Sequence, residues 1–235
     1  MMTDFVFAPQ ETPLVAVAGG GAFPVRRIFC IGRNYADHVK EMGGDAKSDP
    51  PVFFTKPADA VVESGATLPF PQGTDDLHFE GELVVALGAG GRDLTTREDA
   101  GALIFGTACG CDLTRRDLQT AAKKRGGPWD AAKAFDRSAP IGAIGKWQDY
   151  SPENFDDASL VTKVNGEVRQ KAPLNSMIWS VPEIICELSR LFELKAGDLI
   201  FTGTPAGVGA LTVGDDVTIE IGDLPALNFS IGERS

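Results

Sequence analysis

Two glutamates one residue apart, Glu80 and Glu82, stand in the run His78-Phe-Glu-Gly-Glu-Leu-Val-Val-Ala-Leu87. Leu83 to Leu87 are apolar and β-prone, so the segment reads as a buried strand. Positions i and i+2 of a strand point to the same face, which brings both carboxylates to one spot beside apolar packing. Two like charges in such a place are costly unless a cation joins them. Oxygen-only ligation suits Mg²⁺ or Mn²⁺, with Ca²⁺ as a further candidate, rather than zinc. The bland alternative is an acidic pair on a solvated strand face.

Other residues add to this chemistry. Asp112 closes the apolar, glycine-rich stretch Ala102 to Asp112, where it can supply a third ligand or cap the helix that follows. His38 lies three residues before Glu41, and neighbours at i and i+3 of a helix let a carboxylate orient an imidazole and raise its basicity for general-base work. A surface His–Glu pair is the ordinary alternative. Of Arg115 and Arg116, one can face the site and bind a substrate carboxylate while the other stays on the surface. Lys133, between apolar neighbours, reads on its own as a snorkelling side chain. The loop Thr202-Gly-Thr-Pro-Ala-Gly-Val-Gly209 offers hydroxyls and free N–H groups to an anion. It lacks the ending of a P-loop, so nucleotide binding is not expected.

The elements that must position these residues are mostly strands. The chain has 235 residues, 43% of them apolar, enough for one sizeable core. Its 27 glycines and 15 prolines are spread out, as in many short strands joined by turns. Strands are expected at Arg26 to Ile31, Val52 to Thr55, Leu83 to Leu87, Asp198 to Phe201, Asp216 to Ile221 and Leu227 to Ile231, with a hairpin turning at Asn165-Gly166. Asn34 is expected to cap the short helix that carries Asp37, His38 and Glu41, and Thr114 to cap a helix running to Arg125. Ser180 and Glu183 form a capping-box pattern opening a helix from Val181 to Phe192. Strands outnumber helices without βαβ alternation, so a mixed, β-rich α+β fold with a few covering helices is expected.

The net charge of −11, from 22 basic and 33 acidic side chains, argues against nucleic-acid or anionic-membrane partners. No stretch reaches the length of a membrane span and the N-terminus has no signal-peptide pattern, so a cytoplasmic protein is expected. Cys30, Cys109, Cys111 and Cys186 then read as reduced, mostly buried small hydrophobes.

Seven motifs in order resemble the fumarylacetoacetate hydrolase family: Ile31-Gly-Arg-Asn-Tyr-Ala-Asp-His38 with Glu41, Phe54-Thr-Lys-Pro57, Glu80-Gly-Glu82, Asp112-Leu-Thr-Arg-Arg-Asp117 with Gln119, Lys133-Ala-Phe-Asp136, Val164-Asn-Gly166 and Asp198-Leu-Ile-Phe-Thr-Gly-Thr-Pro205. The resemblance implies a β-sheet roll, a homodimer, a lead-in over residues 1–24 and a catalytic domain over residues 25–235. It implies Mg²⁺ or Mn²⁺ at Glu80, Glu82 and Asp112, His38 and Glu41 as a water-activating dyad, and Lys133 near metal and substrate. Arg33, Arg115, Gln119, Thr202, Gly203 and Thr204 become substrate contacts. Within the family, Phe5-Val-Phe-Ala-Pro9, Phe23-Pro-Val-Arg-Arg27, Pro57-Ala-Asp-Ala-Val-Val62 and Pro128-Trp129 are most similar to fumarylpyruvate hydrolases of gentisate breakdown. The activity implied is hydrolysis of an acylpyruvate, with Lys133 or the Thr204 region donating to the oxyanion. Oxaloacetate decarboxylation, short-chain acylpyruvate cleavage, 2-oxo acid isomerisation or hydration, and a non-catalytic ligand-binding role are the alternatives.

Overall fold

The computed structural model describes residues 5–36, 51–146 and 158–234. β1 (Leu14–Ala16) and β2 (Ala22–Pro24) form a hairpin, followed by β3 (Arg27–Gly32), β4 (Val52–Lys56), β5 (Val61–Glu63), β6 (Ala66–Pro69), β7 (Leu77–Phe79) and β8 (Gly81–Leu87). α1 (Arg97–Gly101) leads into β9 (Ile104–Cys111), β10 (Thr114–Arg115), α2 (Arg116–Arg125) and α3 (Asp130–Lys133). After them come β11 (Ala139–Ile141), β12 (Gly145–Lys146), β13 (Ser159–Val164), β14 (Glu167–Pro173), α4 (Val181–Leu191), β15 (Asp198–Phe201), β16 (Gly209–Leu211), β17 (Asp216–Ile221) and β18 (Leu227–Gly232).

The main sheet runs β4-β3-β15-β8-β9-β11-β5, with β12 also on β9, and a second sheet runs β14-β13-β17-β18-β6. Most pairs are antiparallel, but β3 and β15 are parallel neighbours. This is the mixed, β-rich architecture expected from the strand pattern, in the curled form that the family resemblance implies.

β8 shows why every residue of its run is buried. Glu82, Val84 and Ala86 share one face, and Val84 and Ala86 pack there with Ile28, Leu199 and Phe201. On the opposite face Leu83 meets the second sheet, while Val85 and Leu87 meet Ile184, Ile185 and Leu188 of α4. With both faces covered, the alternation of polar and apolar residues disappears and only the two glutamates interrupt it. Residues within the expected lead-in are part of this packing, because Val15, Val17 and Phe23 join the same core as Val84.

Gly81 sits where the main sheet packs against the second. A Cβ there would lie 2.1 Å from Thr162 Oγ1 and 3.1 Å from Gln170 Oε1. The residue between the glutamates therefore has no room for a side chain.

The hairpin turn has Asn165 and Gly166 at φ +52° and +81°, the left-handed pair that a tight turn requires. At α4, the Ser180 N–H donates to Glu183 Oε2 at 2.9 Å, as the capping pattern predicts, and the Ser180 hydroxyl donates to the same oxygen at 2.7 Å. One expected cap is corrected. α2 begins at Arg116, with Arg115 rather than Thr114 in the cap position, because Thr114 belongs to β10 and its hydroxyl donates to Asp112 O. The Asn34 amide ties two loops together, donating to Thr202 O and Trp179 O and accepting from Trp179 N–H; the helix it is expected to cap runs into residues outside the described ones. Among the described residues no helix is long and apolar enough to cross a membrane.

Candidate metal centre and active site

Glu80 directly precedes β8, Glu82 is its second residue, and Asp112 follows β9, the neighbouring strand. The register places Gly81 opposite Cys111, so the two strands deliver all three acids to one end of the sheet. One oxygen from each of the three lies within 4.8 Å of the others, and all three residues are buried. Asp112 does not cap a helix.

Cations surround this cluster unevenly. The Lys133 ammonium donates to Glu80 Oε2 at 2.7 Å, Asp112 Oδ2 at 2.6 Å and Thr114 Oγ1 at 2.6 Å. An ammonium has three protons, so all are engaged. Burial opposes its charge, but Asp112 and Glu80 outweigh burial and hold it above the usual lysine range. Lys133 thus braces two carboxylates, and none of its donors faces an oxyanion, unlike the role expected for it. Lys56 pairs with Asp112 Oδ1 at 2.8 Å and donates to Leu113 O and Lys133 O. Arg116 donates through Nη2 to Glu80 Oε1 and through Nη1 to Gln119 Oε1, the latter at 2.6 Å.

Glu82 has no such partner among the described residues. It is 1% exposed, and its one hydrogen bond among the described residues comes from Gly203 N–H at 2.8 Å. Burial, then the Asp112 and Glu80 charges, push its carboxyl well above the usual range. Asp112 Oδ1, despite its ion pair, receives no aligned hydrogen bond. A buried carboxylate lacking a cation, a neighbouring oxygen with a lone pair free, and an all-oxygen donor set are what a hard divalent ion fits. Glu80, Glu82 and Asp112 would hold it.

The loop after β15 turns inward. Thr202 Oγ1 donates to Leu83 O at 2.9 Å, and Thr204 Oγ1 donates to Gly81 O at 2.8 Å while accepting from Gln170 Nε2 at 2.7 Å. Gln170 Oε1 in turn accepts from Gly81 N–H at 3.0 Å. Gly203 adopts φ +101°, and a Cβ there would meet Asn34 Cβ at 2.7 Å. These hydroxyls, expected to face an anion, instead clamp the backbone around Glu82.

Arg115, expected at the site, does not join it. Thr114 faces the centre, so its neighbour on β10 points the other way. The Arg115 guanidinium donates to Ala131 O and lies 4.4 Å from the Phe135 ring centroid, beside a separate cavity that Asp136 and Arg137 also line. Arg116, at the start of α2, turns back toward Glu80. Gln119, one turn on, is buried against Arg116 as expected. Arg33 is exposed and has φ +64°, sparsely populated for a residue with a side chain. Asp37, His38 and Glu41 lie outside the described residues.

Lys56, Gln170 and His78 had no assigned role in the sequence. Lys56 had a signal, a lysine ending the apolar strand Val-Phe-Phe-Thr-Lys. His78 accepts from Arg116 Nε through Nδ1 at 3.4 Å and bonds Asp76 Oδ1 through Nε2 at 2.9 Å. That pattern assigns the proton to Nε2. Burial and then Arg116 hold the imidazole below its usual range, so it is neutral at pH 7. Cys30 is buried beside the centre, where burial and Asp112 push its thiol up, so it offers no thiolate nucleophile.

A family described as fumarylacetoacetate (FAA) hydrolase C-terminal matches residues 27–231. Oxaloacetate tautomerase YcgM of Escherichia coli (strain K12) is 41% identical over 199 residues, 84% of this chain and 89% of that protein. Fumarylpyruvate hydrolase of Ralstonia sp. is 37% identical over 188 residues, 80% of this chain and 96% of that one. The crystal structure of fumarylpyruvate hydrolase from Pseudomonas aeruginosa in complex with Mn²⁺ and pyruvate is 44% identical, with a TM-score of 0.94, and the likeness covers 98% of this chain and 100% of that one.

Proposed function

Since the chain belongs to the fumarylacetoacetate hydrolase family, we propose that it hydrolyses a carbon–carbon bond in an acylpyruvate, with fumarylpyruvate as substrate and fumarate and pyruvate as products. The observation that carries this reading is the buried Glu80–Glu82–Asp112 cluster, in which Glu82 has no cationic partner among the described residues. The likeness of the whole chain to a fumarylpyruvate hydrolase with Mn²⁺ and pyruvate supports the choice of ligand. Mg²⁺ or Mn²⁺ bound there supplies Lewis-acid stabilisation for charge developing on the 2-oxo acid.

The chain's own residues do the rest. Lys133 and Lys56 fix Asp112, Arg116 fixes Glu80, and Gly203 N–H orients Glu82. Gln119 holds the Arg116 fork, and the clamps from Thr202 and Thr204 keep the strand end in place. His38, oriented by Glu41, takes a proton from water, and the oxygen adds to the carbonyl farther from the pyruvate end. The bond between that carbonyl carbon and the methylene breaks. Its electron pair passes to the methylene, which is protonated to give pyruvate. Arg33 contacts a substrate carboxylate. The unit is a cytoplasmic homodimer in the breakdown of aromatic compounds.

A second reading has specific support, because relatives about equally similar are oxaloacetate tautomerases. Keto–enol interconversion needs proton transfer but no water. The test is to follow the enol absorbance and pyruvate release with fumarylpyruvate, acetylpyruvate and oxaloacetate, each with Mn²⁺ or with EDTA. The hydrolase reading expects EDTA-sensitive release of pyruvate and fumarate from fumarylpyruvate. Turnover of oxaloacetate alone selects the tautomerase.

A further inference from the structure

α2 presents Arg116, Gln119 and Lys123 at i, i+3 and i+7, one stripe of the helix. Its first two members bind each other, and Arg116 binds Glu80. Lys123 lies two turns farther on, about 10 Å along the axis at 1.5 Å per residue. Its ammonium is 5.2 Å from the Trp129 ring centroid and makes no hydrogen bond or ion pair among the described residues. Trp129 stands 5.6 Å from Phe54, whose own ring centroid is 5.2 Å from the Lys133 ammonium. A cavity of about 520 Å³ lies along this track, lined by Phe54, Trp129, Pro128, Asp130 and Lys133 among others. Two of its lining residues point to its neighbours: Lys133 braces Glu80 and Asp112, and the Trp129 ring lies beside Lys123.

Resting on the acylpyruvate reading, we propose that Lys123 is a specificity-determining residue that binds the distal carboxylate of a long 2-oxo dicarboxylic substrate, with Phe54 and Trp129 flanking its carbon chain. Length decides what can reach it. In an extended chain of ~1.5 Å bonds, the far carboxyl carbon of fumarylpyruvate lies roughly 6 Å from the 2-oxo carbon, against roughly 2.5 Å in oxaloacetate. A ligand held at the three acids through its 2-oxo end therefore meets Lys123 only when it is long. The field supports this: partial burial, then Arg116, hold the Lys123 ammonium down to about 8, with Lys133 and Arg33 adding to the effect. These cations lie near enough to act on Lys123, so an anion placed among them is favoured.

The test is calorimetric binding of three non-hydrolysable probes to the Mn²⁺-loaded protein: 2-oxopimelate, 2-oxoheptanoate of equal length, and pyruvate. The wild type should prefer 2-oxopimelate over 2-oxoheptanoate by about tenfold, the scale of one charged hydrogen bond. K123M should abolish that preference, K123R should retain it, and pyruvate should bind all three proteins equally. A wild type without the preference, or a K123M protein that keeps it, overturns the assignment. Failure of the hydrolase reading shows separately, as absence of fumarylpyruvate cleavage by the wild type, and leaves the binding comparison intact.

Discussion

Glu82 and Lys133 are adjacent in the same buried cluster, yet removing their charges should have opposite consequences. Lys133 neutralises Glu80 and Asp112, so K133M leaves buried carboxylates short of a cation and should cost about 3–5 kcal/mol of stability, read by urea unfolding. Glu82 has no cation to lose among the described residues. In metal-free protein, E82Q removes a like charge beside two others while keeping an acceptor for Gly203 N–H, so its melting temperature should equal or exceed that of the wild type. Mn²⁺ at a hundred times its dissociation constant should stabilise the wild type by about 2.7 kcal/mol and leave E82Q unmoved. If E82Q melts lower without metal, or still responds to Mn²⁺, Glu82 is not the acid awaiting a cation.

At the level of elements, the metal ligands depend on how closely two sheets pack. Gly81 on β8 faces Thr162 on β13, and the Thr162 hydroxyl is itself buried with no hydrogen-bond partner among the described residues. G81A should therefore cost about 1–3 kcal/mol through overpacking, and it should weaken Mn²⁺ binding because both flanking glutamates must shift. T162A removes the atom that the new methyl group meets and gives up no hydrogen bond. The double variant G81A/T162A should recover most of the stability and the metal affinity, a coupling that a double-mutant cycle measures directly. Additive losses would show that the glycine serves the backbone rather than the sheet contact.

Over the whole molecule, the readable features were those with local causes. The E-x-E spacing, the Asn165-Gly166 turn and the Ser180–Glu183 cap each follow from a few adjacent residues, and the structure contains all three. What could not be read depends on register between distant segments. Lys56 reaches Asp112 across 56 positions of sequence, and Arg116 rather than Arg115 reaches Glu80 because a two-residue strand turns the chain before α2 starts. The net charge of −11 was legible too, and it has a consequence on the same scale. Most of the described acids lie on the surface, where a Debye length of ~8 Å at physiological salt screens them far more than one of ~30 Å at 0.01 M. The molecular field therefore reaches the centre only at low salt, where it attracts a divalent cation and repels an anion. Between 10 and 150 mM KCl, Mn²⁺ affinity should fall by a few-fold, on the order set by this screening. The affinity of the Mn²⁺-loaded protein for pyruvate should hold or rise, because its attraction comes from Arg116 and its neighbours inside the screening distance. Calorimetric titrations of both ligands at the two salt concentrations measure the two signs. A parallel fall in both affinities would mean that the cations around the centre, rather than the acidic surface, set the field an arriving substrate meets.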